Sequence, residues 1–261
     1  MTLPPPSDQF FHKLARAQTR VLLLDYDGTL APFSVERDGA RPYPGVRQSL
    51  SNILLAGHTR LVIVSGRMLK GLTELLDMNP LPEIWGTYGW ERRTVDGHYH
   101  LAPVPQAAGE GLERAAQGAK DADLGSQSEV KPASVALHWR GLTVAEADSM
   151  NRWARATWGP LTESHSLELH DFDGGIELRV PGRDKGTAVR TVLAESPANA
   201  VVAYLGDDFT DEDAFLALPP DGLGVLVRPQ FRPTAASTWI QPPEGLLSFL
   251  KRWRYASGEE E

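Results

Sequence analysis

The sequence predicts an α/β protein: a parallel sheet covered by helices, with a smaller α+β domain inserted into it. Three short apolar runs, Val21 to Leu24, Leu61 to Val64 and Val201 to Leu205, read as strands buried on both faces, and each ends in polar residues. Between the second and third, from Ile84 to Val180, hairpin signals replace buried runs. A doubly wound sheet gathers ligands at the carboxyl ends of its strands.

The first run organises the chain. Arg20 to Phe33 reads RVLLLDYDGTLAPF and sets two carboxylates one residue apart at a strand's end. The period of two in extended chain turns Asp25 and Asp27 to the same side. Gly28 lets the backbone turn away, and Thr29 can bond backbone or phosphate.

Along the rest of the chain, Met1 to Ser7, with its three prolines, is expected to be disordered and Phe10 to Thr19 to form a short helix. Pro44 to Ala56 places Val46, Leu50, Ile53 and Leu54 at helical spacing, as a crossover helix requires. The second strand runs into Ser65-Gly66-Arg67, where Ser65 reads equally as the N-cap of a helix reaching Leu76 or as a donor to an anion.

In the insert, a hairpin is predicted about Asp96-Gly97, helices over Gln106 to Ala119 and Ala145 to Trp158, and a strand from Ser134 within EVKPASVALHWR (Glu129 to Arg140). Leu167 to His170 and Ile176 to Val180 flank Asp171-Phe172-Asp173-Gly174-Gly175 as a second hairpin.

The core resumes with a helix opened by Arg183 to Thr187. Lys185 in its first turn opposes the helix dipole and suits an anion partner. The third run ends in GDDFTDED (Gly206 to Asp213). Thr210 as a cap of the helix to Leu218 accounts for Asp211 to Asp213 but not for Asp207 and Asp208. Gly224 to Val227 is a last strand, Leu246, Leu247, Leu250 and Trp253 mark a terminal helix, and Glu259 to Glu261 form a solvated tail.

Composition narrows the class of function. The 261 residues carry a net charge of -8, from 26 basic and 34 acidic side chains, which disfavours a general nucleic-acid binder. Cysteine is absent, so disulfides, thiolate metal sites and cysteine nucleophiles are excluded. No apolar run approaches the ~20 residues of a membrane span, and no cationic start precedes an apolar segment. A cytoplasmic monomer with no membrane partner is expected.

Strand ends carrying DxD, Ser and GDD could meet in one crevice, where crowded carboxylates would raise one another's pKa values unless a cation joined them. Oxygen-only ligands point to a hard ion, most simply Mg²⁺. A carboxylate nucleophile forming an aspartyl-phosphate fits such a site, with Lys185 sharing the phosphoryl charge.

These motifs, in this order, resemble those of the haloacid dehalogenase (HAD) superfamily, and the flanking text resembles its trehalose-6-phosphate phosphatase family. The residues that carry the likeness are DYDGTLAPF at Asp25 to Phe33, VSGR at Val64 to Arg67, GTYGWERR at Gly86 to Arg93, EVKPASVALHWR, ELRVPGRDKG at Glu177 to Gly186, and GDDFTDEDAF at Gly206 to Phe215. The resemblance as a whole spans roughly Val21 to Lys251, nearly the whole chain.

The resemblance implies a Rossmann-like core at 1–88 and 182–261 and an α+β cap at 89–181 that selects the substrate. It implies Mg²⁺-dependent hydrolysis of trehalose 6-phosphate, a small sugar phosphate. Asp25 would be the nucleophile and Asp27 the general acid and base. Mg²⁺ would be held by the Asp25 carboxylate, the Asp27 carbonyl and Asp207, with Asp208 and Asp211 supporting the metal or orienting Lys185. Ser65 and Lys185 would bind phosphate, and Arg67, Glu91, Glu129, Lys131, Arg140 and Glu177 the substrate.

Two departures fall beside the expected sugar pocket. The family usually has His-Gly-Ala-Glu where this chain has Tyr88-Gly89-Trp90-Glu91, and Pro where Val180 stands. The alternatives are a phosphatase of another sugar or glycosyl phosphate, a phosphomutase, and a non-catalytic sugar-phosphate sensor. The full set of Asp25, Asp27, Lys185 and Asp207 argues against the sensor, since a binder needs no nucleophile. Dehalogenation is disfavoured because a leaving halide needs no acid at Asp27.

Overall fold

The computed structural model describes residues 3–34, 39–172 and 174–258; Asp173 of the second expected hairpin and the tail at 259–261 lie outside them. In chain order the elements are α1 (Asp8–Arg16), β1 (Arg20–Leu24), α2 (Val46–Ala56), β2 (Arg60–Val64), α3 (Leu69–Leu76), β3 (Glu83–Gly86), β4 (Glu91–Arg93) and β5 (Tyr99–Leu101). Then come α4 (Gln106–Asp121), β6 (Ser128–Lys131), β7 (Ser134–His138), α5 (Val144–Ser164), β8 (Glu168–Phe172) and β9 (Gly175–Arg179). The chain closes with α6 (Lys185–Ala194), β10 (Val201–Gly206), α7 (Glu212–Leu216), β11 (Leu223–Val227), β12 (Thr238–Ile240) and α8 (Glu244–Ala256).

The large sheet runs β12-β11-β10-β1-β2-β3-β4-β5, parallel from β12 to β3. The chain winds outward from β1 in both directions, to β2 and β3 on one side and to β10 and β11 on the other. That makes the carboxyl end of β1 the switch point of the sheet, and Asp25 stands there. Alternation along the strands splits the core in two. Leu22, Leu24 and Ile63 pack with Leu14, Leu50, Leu72 and Leu250 of α1, α2, α3 and α8. Val21, Leu23, Val62 and Val64 pack with Val189, Val192 and Phe215 of α6 and α7. The reading of these runs as strands covered on both faces holds for this reason.

Two compact units emerge, Met1–His100 with Asp184–Glu261, and Leu101–Arg183. The boundaries expected at 88/89 and 181/182 therefore move to 100/101 and 183/184. Residues after the turn at Thr87–Gly89 stay with the large sheet because β4 pairs antiparallel with β3.

The inserted unit is an antiparallel sheet, β6-β7-β9-β8, packed against α4 and α5. Trp158 of α5 is fully buried, and its indole N–H donates to the Ala115 carbonyl of α4 at 3.2 Å. Thr143 and Glu146 cap α5 reciprocally.

Several expectations need correction. The N-terminal prolines are anchored: the Pro4 carbonyl accepts from the Trp239 N–H at 3.2 Å and that of Pro6 from Arg252 at 3.3 Å. The helix after Ser65 starts only at Leu69, so Ser65 is not its cap. Thr210 lies inside a short 3-10 turn, Phe209–Asp211, rather than capping α7. Strands β3, β6 and β12 were not anticipated, and α5 continues past Trp158 through Pro160.

Candidate active site

The site is assembled at the carboxyl ends of β1, β2 and β10 within the first unit. Lys185, the first residue of α6, is 4% exposed and sits where the helix dipole disfavours it. Its ammonium donates to Asp25 Oδ1 at 2.6 Å and to Asp211 Oδ1 at 2.8 Å. These are the anionic partners that its position calls for.

Asp211 is fully buried and fully employed. Its Oδ1 also accepts from the Tyr204 hydroxyl at 2.5 Å, and its Oδ2 accepts the backbone N–H groups of Asp207 at 3.1 Å and Asp208 at 2.9 Å. It therefore orients Lys185 and folds the loop after β10. Tyr204 could have been found from the sequence as the one polar side chain in an otherwise apolar run, three residues before Asp207.

Asp207 is the opposite case. Both of its carboxylate oxygens, and Oδ2 of Asp25, are buried without a hydrogen-bond partner. Three oxygens on the two acids that lack donors form a cradle for a cation. The carboxylates of Asp25, Asp207 and Asp211 lie within 4.8 Å of one another. Because Asp211 already has donors on both oxygens, the free capacity belongs to Asp25 and Asp207. A hard divalent ion fits this donor set. Burial pushes the Asp25 carboxyl up to about 7 against the opposing pull of Lys185. Burial, and next the neighbouring Asp25, drives Asp207 well above the carboxylate range. Burial would lower Lys185, but Asp211 and Asp25 outweigh it and raise the ammonium above its ordinary value. Thr29 Oγ1 is likewise buried without a partner.

Gly28 closes the cradle. It has φ +83°, and a Cβ there would lie 2.2 Å from Asp207 Oδ2. Asp27 is gripped by Arg67 in a two-pronged ion pair, Nε to Oδ2 and Nη2 to Oδ1, both 2.7 Å. Arg67 thus faces the second acid of the first motif. Ser65, 1% exposed, receives the Arg67 N–H on its hydroxyl at 3.1 Å. Asp208 is half-buried on the loop, with its N–H given to Asp211.

Glu91 stands apart from the other expected substrate residues. It is 5% exposed in the first unit, where its carboxylate accepts from Thr87 Oγ1 at 2.6 Å, Leu69 N at 3.3 Å and the Tyr99 hydroxyl at 3.2 Å. It holds the start of α3 against the large sheet.

Glu129, Lys131 and Glu177 meet in the second unit. Cross-strand register puts Glu129 beside Ala136 and Ala136 beside Glu177, so these residues share one face with Lys131, Ser134, His138 and Arg179. Glu177 accepts from Lys131 at 2.9 Å, Ser134 at 2.7 Å and Arg179 at 2.7 Å. Burial would raise Glu177, but Lys131 and Arg179 outweigh it and hold it at about 2. Glu129 pairs with His138 Nε2 at 2.9 Å. Ser134, His138 and Arg179 were not singled out from the sequence, although alternate polar residues in a strand are the signal for such a face. Arg140 lies just beyond β7, over Gly174.

The fold is that of the haloacid dehalogenase-like hydrolases. One from Bacteroides thetaiotaomicron superposes with a TM-score of 0.65 at 17% identity, over 90% of this chain and 99% of that one. The Aspergillus fumigatus trehalose-6-phosphate phosphatase gives a TM-score of 0.70 at 24% identity, over 97% and 99% of the two chains. The trehalose-phosphatase family profile matches residues 23–238. A trehalose-phosphate phosphatase of Mycobacterium ulcerans is 33% identical over 254 residues, covering 88% of this chain and 60% of that protein. The chain belongs to the trehalose-phosphatase family. It spans about three fifths of the length of the curated relatives it matches. Among the described residues, no helix is long and apolar enough to cross a membrane.

Proposed function

We propose that this protein is a Mg²⁺-dependent phosphatase that hydrolyses trehalose 6-phosphate to trehalose and phosphate. The observation that carries the reading is the pairing of Asp25 with buried Lys185 beside three carboxylate oxygens that lack donors. Family membership supports the substrate.

In this reading the Asp25 carboxylate attacks phosphorus while the bond from phosphorus to the sugar oxygen breaks. Asp27 delivers the proton that the leaving hydroxyl needs, then takes one from the water that opens the aspartyl-phosphate. Lys185 and the Ser65 hydroxyl bind phosphoryl oxygens. Mg²⁺, held by Asp25, Asp207 and the Asp27 carbonyl, would supply charge neutralisation and orientation. Arg67 holds Asp27 in place through both carboxylate oxygens. Glu129, Lys131 and Glu177 are assigned to sugar hydroxyls, with Arg140 a further contact of that unit. Glu91 is left out of that set because it belongs to the first unit, where it braces Leu69, Thr87 and Tyr99.

The test is phosphate release from trehalose 6-phosphate beside glucose 6-phosphate, sucrose 6-phosphate and a glycosyl phosphoglycerate, with Mg²⁺ and with EDTA, and with Asp25→Asn as control. Preference for trehalose 6-phosphate, loss in EDTA and loss in the variant are expected. Faster turnover of another sugar phosphate would reassign the substrate, and full turnover in EDTA would end the metal mechanism.

A further inference from the structure

The carboxylate of Asp207 has no donor on either oxygen, so no side-chain hydrogen bond fixes its place. Its aim comes from its backbone. On the amide side, the N–H groups of Asp207 and Asp208 are taken by Asp211. On the carbonyl side, two arginines from the segment joining β11 to β12 close in. Arg228 Nη1 donates to the Asp207 carbonyl at 3.2 Å. Arg232 donates from Nε to the same carbonyl at 3.2 Å and from Nη2 to the Asp208 carbonyl at 2.6 Å.

Arg232 is itself held. Its remaining nitrogen, Nη1, donates to Glu212 and to the Pro233 carbonyl at 2.8 Å, and its guanidinium lies 4.7 Å from the centre of the Phe209 ring. Glu212 also accepts from Thr234 Oγ1 at 2.8 Å and Ala235 N at 2.6 Å, which ties this segment to the start of α7. The Arg232 side chain is only 10% exposed. A planar fork with every nitrogen engaged is a rigid reference, which a lysine could not reproduce.

We propose that Arg232, assisted by Arg228, is a positioning residue for the cation site: it clamps the Asp207-Asp208 peptide so that the Asp207 carboxylate is set in place before the ion arrives. Phe209, exposed on the same turn, serves as the flat surface against which the guanidinium is laid. The arginines act on carbonyls rather than carboxylates, so they set direction without neutralising the acids. Residues that orient metal ligands typically control affinity by 10- to 100-fold.

The inference rests on the proposed metal site, and the experiment separates the two. Mn²⁺ binding to the full chain is followed by electron paramagnetic resonance, alongside Mg²⁺ titrations of phosphate release and thermal unfolding in EDTA. Arg232→Ala is expected to weaken Mn²⁺ binding by about 10-fold or more and to raise the Mg²⁺ needed for half-maximal rate by a similar factor. kcat at saturating Mg²⁺ should stay within about threefold, since the ion then restores the carboxylate's place. Arg232→Lys should recover only part of the affinity, and Arg252→Ala, which removes contacts to Asp8, the Pro6 carbonyl and the Phe11 ring but none to the acid cluster, should leave it unchanged. Parent protein that fails to bind Mn²⁺ would overturn the metal site itself. Parent binding with equal affinity in Arg232→Ala would overturn the clamp alone. Should Arg232→Ala not fold, Arg228→Ala decides, and unaltered Mn²⁺ affinity there would overturn the proposal.

Discussion

Gly28 shows how finely the acid cluster is fitted. Any side chain there must adopt φ near +83° and occupy the space of the Asp207 carboxylate, 2.2 Å away. Gly28→Ala is therefore expected to displace Asp207 and lower the rate by about 10²-fold, the usual effect of a misplacement near 1 Å. The backbone strain should destabilise the fold by roughly 1–3 kcal/mol. Initial rates at saturating Mg²⁺ and urea unfolding would check both, and a fully active variant would show that Asp207 need not stand where it does. At this scale the sequence was informative about identity and poor about partners. Asp25, Lys185 and Asp207 stand out because each follows an apolar strand or opens a helix, whereas Asp211 reads as an acid at a helix start and enters the site only through the family resemblance. The Arg67 fork on Asp27 joins residues 40 apart, and Glu91 reaches Leu69 across 22. Such pairings depend on which strands become neighbours, which side-chain chemistry alone does not encode.

Among the elements, the long buried strands were legible because parallel strands read as unbroken apolar runs. Strand β6 was missed because three of the four residues of Ser128–Lys131 are polar, and β12 because three residues are too few for periodicity. The polar face that β6 helps to build makes the inserted sheet sensitive to acid. Glu177 ionises at about 2 in the fold against an ordinary 4.5. A depressed carboxylate contributes stability that is fully present above about pH 4.5 and lost as pH falls toward 2. The difference corresponds to about 3 kcal/mol. Hydrogen exchange of the β7 and β9 amides between pH 6 and 2 should show protection falling through that window, and Glu177→Gln should flatten the fall while lowering protection at pH 6. Acid sensitivity unchanged in the variant would place its origin elsewhere.

At the scale of the whole molecule, the acid cluster around Asp25 lies in one compact unit and the polar sheet face in the other. If that division reflects function, Glu129→Ala combined with Lys131→Ala should lower kcat/KM for the true sugar phosphate by at least ~10-fold, because polar groups matched to a hydroxyl discriminate strongly. Hydrolysis of p-nitrophenyl phosphate, which has no sugar, should change little. Equal losses on both substrates would mean that this face supports folding rather than selection.

The winding of the sheet outward from β1 also dictates a schedule. Asp25 lies near the beginning of the chain, yet Lys185, the partner its carboxylate meets, is 160 residues further on, and Asp207 and Asp211 follow later still. During synthesis, at roughly 5–20 residues per second, the Asp25 carboxylate therefore emerges well before Lys185, Asp207 and Asp211. A growing chain that has completed both β2 and the entire inserted unit carries Asp25 without Lys185, Asp207 or Asp211. The acid cluster is complete only when β10 closes onto β1, so under the proposed mechanism a polypeptide halted before that strand would have no activity.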